Sequence, residues 1–140
     1  MTGSPALVSL LAATTLHLGF QLTVTVLVYP ALSRVPVDQW SQAHAKHSRA
    51  IVPLVVLTYA ALLTSVVWSL TTAPLTAGLL VAAVGIVLAL GTTAAVAAPL
   101  HGRLGRDGRG DRAIRRLLAA DRLRTVGAVV ATAGAVLALV

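Results

Sequence analysis

The 140-residue chain has no cysteine, which excludes disulfides, thiol redox chemistry and thiolate sites for metals or iron–sulfur clusters. It cannot act alone as a dithiol quinone reductase. Charge is scarce as well: 11% of residues are Asp, Glu, Lys or Arg, against roughly 25% in a soluble domain. Only four of them are acidic, and they do not form the Glu-x-x-His pairs that a carboxylate-bridged di-iron bundle needs. No basic stretch precedes the first apolar run, and that run is too long for the h-region of a signal peptide. No segment reads as a soluble domain.

What the chain does contain is hydrophobic, at 57% of residues. A helix rises about 1.5 Å per residue and needs roughly 20 mostly apolar residues to cross the hydrocarbon of a bilayer. Four segments qualify: Pro5–Tyr29, Ile51–Thr71, Leu75–Ala98 and Thr125–Val140. The fourth is short, but Asp111 can cap a helix that runs through Ile114, Leu117, Leu118 and Asp121 into it. Pro36 or Asp38 can likewise open a helix that carries Trp40, His44, His47 and Ile51 on one face before the second span. The expected fold is all-α: one domain over residues 1–140, an integral membrane four-helix bundle with two helices extended on the cytoplasmic side. Gly78, Gly85, Gly91, Gly127 and Gly134 are positions where helices can approach closely. Gly102–Gly110 reads as a flexible linker. Both spans one and three end at proline, at Tyr29-Pro30 and Ala98-Pro99, which leaves a distant duplication open.

All eleven Lys and Arg residues fall between spans one and two or between spans three and four. The positive-inside bias makes both stretches cytoplasmic, puts both termini outside, and points to the cell's inner membrane. The net charge of +7 reflects this asymmetry and attraction to anionic headgroups. A nucleic-acid partner is not indicated, and the sequence leaves a homo-oligomer open.

The candidate site residues are the polar groups that this apolar background makes expensive. Thr14, His17, Gln21 and Thr25 follow one another at helical spacing inside the first span, and such residues face a bundle interior or a cavity rather than lipid. His44 and His47 share a face with Trp40, while Asp121 and Arg124 lie on the apolar stripe leading into span four. Asp121 needs a partner there, with Arg124, Arg49 or a protonated histidine available. Tyr29 and His101 end spans one and three at one membrane level, so these groups can converge on a pocket open to the inner leaflet. Structural readings stand beside the functional ones: interhelical glue for His17 and Gln21, a solvated face for His44 and His47, an ion pair for Asp121 and Arg124. Trp40 and Trp68 are expected to anchor opposite membrane faces. A copper or zinc site built on His44, His47 and His101 stays open, whereas haem on His17 lacks a second histidine at that depth.

Four short motifs carry a family resemblance: Tyr29-Pro30, Trp40, Pro99-Leu100-His101-Gly102-Arg103-Leu104 and Asp121-Arg122-Leu123-Arg124-Thr125. The chain resembles, over nearly its whole length, small four-helix membrane proteins of the anthrone-oxygenase-like group, most of which have no known function. The resemblance implies oxygenation of an electron-rich aromatic by molecular oxygen, the substrate being activated as its own carbanion or phenolate. It leaves the cofactor open between none and a histidine-bound metal. Such chemistry needs a base and a donor to the developing oxyanion. The catalytic candidates are His44, His47, His101, Asp121 and Arg124, with His44, His47 or His101 as base. The candidate substrate contacts are His17, Gln21, Tyr29, Trp40 and Arg49, where Arg49 joins Arg124 and Tyr29 at the oxyanion, and His17 with Gln21 orients the buried end. Two function classes follow: a membrane oxygenase or oxidoreductase taking a hydrophobic aromatic or quinol-like molecule from the bilayer, or a non-catalytic bundle serving as partner subunit, small transporter or structural protein.

Overall fold

Each apolar segment becomes one long helix, because within hydrocarbon the backbone can satisfy its hydrogen bonds only internally. A computed structural model describes residues 4–140. It has α1 at Pro5–Ser33, α2 at Val37–Thr72, α3 at Ala77–Arg106 and α4 at Asp111–Leu139. All four are long and apolar enough to cross a membrane, a conclusion that rests on length and composition. Their outward faces carry large apolar side chains, among them Val26 and Leu27 on α1, Leu57 on α2 and Val87 on α3. In a soluble protein so much exposed apolar surface would promote association; lipid is its natural contact.

The expected all-α four-helix architecture is present, with α2 and α4 extended as anticipated. The prolines, however, do not end the first and third helices. Proline lacks an N–H and its ring crowds the carbonyl four residues earlier. In both helices a π-helical turn, Val24–Val28 before Pro30 and Thr93–Ala97 before Pro99, takes up one extra residue and lets the helix continue. Thus α1 runs on to Ser33 and α3 to Arg106. The buried positions show the inserted residue: Val24 is followed by Tyr29, and Thr92 by Ala97, each five residues on. The π turns therefore rotate Tyr29 and the segment before His101 inward.

Two further expectations change. Most of Gly102–Gly110 is helical, and the linker shrinks to Asp107–Gly110, where Gly108 at φ 81° takes the left-handed turn that ends α3. Asp111 does not cap α4; Gly110 is the cap and Asp111 sits in the first turn, paired with Arg109 at the surface. At the other end Thr76 Oγ1 accepts the Leu79 N–H at 3.2 Å and starts α3.

The most extensive helix contact is α3 on α4. It is a seam of small residues: a Cβ on Gly78, Gly85 or Gly134 would strike the opposite backbone at Ala138, Ala131 or Ala82, and one on Gly127 would strike Gly85 and Ala89. Gly91 plays no such part, having open space around it. α1 packs on both α2 and α4, while α2 touches α3 only sparsely. That unfilled gap between α2 and α3 positions the site.

Candidate functional site

Where α2 and α3 part, in the half of the bundle that carries the basic loops, a cavity of about 370 Å³ opens among all four helices. Small-molecule sites run from roughly 300 to 1,000 Å³. Its walls are mostly apolar, with Phe20 and Val24 from α1, Ile51 and Val55 from α2, and Ala97 from α3. Exposed Val52, Val56 and Ala98 stand at its mouth and face the lipid side. One wall is polar: Tyr29, His47, His101 and Arg124 reach the cavity together.

Behind that wall the polar groups form one connected chain. Gln21 Nε2 donates to Asp121 Oδ1 at 2.6 Å. The Asp121 carboxylate lies 3.8 Å from Arg124 Nη1, one turn along α4, and both side chains are buried. Arg124 Nη1 donates to Tyr29 Oη at 3.3 Å, Tyr29 Oη meets His101 Nε2 at 3.0 Å, and His101 Nδ1 meets His44 Nε2 at 3.3 Å. Arginine only donates, so Tyr29 Oη accepts from Arg124. Assigning the Tyr29 hydrogen to His101 Nε2 puts the His101 proton on Nδ1, where it donates to His44 Nε2; with the opposite tautomers both histidine bonds reverse.

Asp121 therefore has Gln21 as its closest partner and Arg124 as its charge partner. Arg49 is not involved: it is exposed and lines no part of the cavity. Two residues past His47 on a helix is about 200° of rotation, which turns Arg49 away from the face that His47 presents. Trp40 also differs from expectation. It is 1% exposed, donates its indole N–H to Leu104 O at 3.0 Å and stacks on His44 at 5.2 Å, so it wedges α2 against α3 and supports His44 from behind instead of anchoring at the interface or touching the cavity. Trp68 is the exposed tryptophan.

His44 and His47 do not form a solvated face. His44 is buried, His47 is half-buried, and both stack on His101 with centroids 5.5 and 5.9 Å apart. Among the described residues no three His, Asp or Glu side chains are grouped to hold a metal.

His17 and Gln21 are fully buried as expected but do not reach the cavity or each other. Gln21 is taken by Asp121. The His17 ring packs edge-on to Tyr59 at 5.5 Å, and neither of its nitrogens has a hydrogen-bond partner among the described residues. Gln21 Oε1 and Arg124 Nε are unpartnered too. Each buried orphan costs about 1–3 kcal/mol, and four of the five among the described residues fall on these three side chains.

Tyr59 and Thr93, hydrogen-bonded at 2.6 Å, are site residues that sequence reasoning passed over. Thr93 forms part of the cavity wall, and Tyr59 links it to His17. The signal available was a tyrosine in the middle of an apolar span, where a hydroxyl needs a partner. Phe20 and Val24, which looked like ordinary span residues, also line the cavity, as does Ser48 just before the second span.

Comparison of the chain with family models, curated proteins and solved structures gives no match. The function must be read from this geometry.

Proposed function

We propose that this chain is an integral membrane enzyme that admits a hydrophobic aromatic or quinol-like molecule from the inner leaflet through the gap between α2 and α3 and oxidises it with molecular oxygen. The observation that supports this reading is an apolar, laterally open cavity with Tyr29, His101, His47 and Arg124 on one wall. A flat ring system buries its surface against Phe20, Val24, Ile51 and Val55. Its hydroxyl or carbonyl meets Tyr29 and the Arg124 guanidinium, which stabilises negative charge developing on that oxygen. The proton leaves through Tyr29 to His101 and on to His44. For a ring methylene oxidised to a carbonyl, one O₂ is consumed and one water released, so the substrate supplies every electron and no separate reductant is needed. The resemblance to the anthrone-oxygenase-like group favours the same chemistry. In this reading both basic loops are cytoplasmic, both termini external, and the membrane is the cell's inner membrane; a reporter fused at Val140 should read external.

The test is oxygen uptake by the full chain in lipid nanodiscs given hydroxylated naphthalenes, anthrones and quinols. Uptake that depends on substrate and is lost in His101→Ala supports the enzyme. Tight binding of these compounds without oxygen uptake favours the second reading, a non-catalytic bundle that carries a ligand or passes protons. One observation favours that alternative: Arg124, Tyr29, His101 and His44 are joined in series by hydrogen bonds, an arrangement that also suits proton passage.

A further inference from the structure

Five buried side-chain nitrogen or oxygen atoms lack a partner among the described residues. Four of the five belong to three side chains in one layer of the bundle: His17 Nδ1 and Nε2, Gln21 Oε1 and Arg124 Nε. His17 and Gln21 are one turn apart on α1, Gln21 is bonded to Asp121 across to α4, and Arg124 is one turn further along α4. His17 and Gln21 are entirely removed from solvent, and Arg124 is 4% exposed. The orphaning of Gln21 Oε1 is forced, because a carboxylate can only accept and the amide must turn its NH₂ toward Asp121.

The chemical character of the orphans identifies what they bind. A neutral imidazole contributes one donor and one acceptor, Gln21 Oε1 is an acceptor, and Arg124 Nε–H is a donor. An anion would want donors only, and a cation acceptors only. Two of each is the complement of water. This layer, a polar seam between α1 and α4, also has a polar approach: the cavity wall includes Thr93, Thr93 is bonded to Tyr59, and Tyr59 lies against His17.

We propose that this seam is a hydration site, holding ordered water that bridges His17 to Gln21 and Arg124 and so extends the Arg124–Tyr29–His101–His44 chain inward to His17. The ionisable groups facing it are His17 and Tyr29 on α1, Tyr59 on α2, and Asp121 and Arg124 on α4, with His101 of α3 beyond Tyr29. The result is a hydrogen-bonded path that begins at His44 near the basic loops and ends blind at His17 in the interior of the bundle. Buried water of this kind occurs where polar groups lack protein partners, each molecule typically making about three hydrogen bonds. The proposal stands whether or not the cavity is catalytic.

The test is water-edited solid-state NMR of the full chain in lipid bilayers, with ¹⁵N in the histidine rings and alanine amides and the four histidines assigned by single His→Gln variants. Magnetisation from water protons should reach the His17 ring nitrogens about as quickly as those of half-buried His47, and at least threefold faster than the amide of fully buried Ala82. Gln21→Leu removes one wall of the seam and should slow transfer to His17 while leaving His47 unchanged. Transfer to His17 no faster than to Ala82 in the wild-type chain overturns the proposal. Cross-peaks from the His17 ring to carbon-bound protons of a resident molecule would overturn it in favour of an organic ligand. Loss of enzymatic activity bears only on the catalytic reading, so the two can fail separately.

Discussion

Near the Ala73–Thr76 turn, α3 and α4 touch backbone to backbone through Gly78, Gly85 and Gly134, and Thr14, Ser65 and Ser69 each donate to a backbone carbonyl. Toward the basic loops the same four helices are spaced by large polar side chains instead. There Trp40, His44, His101, Tyr29 and Arg124 bond to one another or to a distant carbonyl, and a cavity remains beside them. The contrast shows how one bundle supplies both rigidity and room. Small residues let dispersion contacts close one half, and the π turns before Pro30 and Pro99 re-aim α1 and α3 so that the other half stays open.

The comparison breaks most sharply at Asp121. Asp121→Leu leaves Arg124 buried without its carboxylate and strips Gln21 of its partner. Removing one member of a buried pair costs about 3–5 kcal/mol, so thermal unfolding in detergent should show a destabilisation of that order, with Asp121→Asn losing less. A change under about 1 kcal/mol would mean that the polar layer is not holding the open half together. Next in size is the closed half: Gly85→Ala drives a Cβ into the Ala131 backbone and should cost about 1–3 kcal/mol as overpacking. Gly91→Ala, made into open space, should be neutral or stabilising by up to about 1 kcal/mol. Equal effects at Gly85 and Gly91 would contradict the small-residue seam.

Sequence reasoning reached the all-α four-span plan, the inward stripe from Thr14 to Gln21, and the meeting of Tyr29 with His101, because each follows from apolar length or helical spacing. It reached the burial of His44 only as one of two readings, since Lys46 and Arg49 beside it argue equally for a solvated face. The path of α1 and α3 past their prolines was not legible. A proline in a helical pattern ordinarily marks a kink or an end, and the compensating π turn depends on packing between helices. Arg49 stands exposed and outside the cavity lining, and the signal for that was its angular position, about 200° past His47 on the helix. The cavity was least legible of all: it is an absence of contact between α2 and α3, and Phe20, Val24 and Val55 carry no mark that distinguishes them from lipid-facing neighbours.

Smaller effects separate the polar wall from its surroundings. Tyr29→Phe removes the hydroxyl that joins Arg124 to His101; stability should fall by about 1 kcal/mol, while substrate-dependent oxygen uptake should fall at least tenfold, or about 1.4 kcal/mol in the barrier. Unchanged oxygen uptake in the folded Tyr29→Phe chain would reduce Tyr29 to packing. Arg49→Ala, on the exposed face, should shift neither stability by more than about 0.5 kcal/mol nor activity.

The central claim is that the gap between α2 and α3 admits a hydrophobic molecule from the bilayer, and native mass spectrometry of the chain released from nanodiscs loaded with a hydroxylated naphthalene addresses it most directly. Ala98 stands exposed at the mouth, while Ala95, also exposed and about one turn earlier, lines no part of the cavity. Wild type and Ala95→Trp are predicted to carry one bound ligand and Ala98→Trp to carry none, all three remaining folded by circular dichroism. Equal occupancy in all three, or no bound mass in any, would contradict the account.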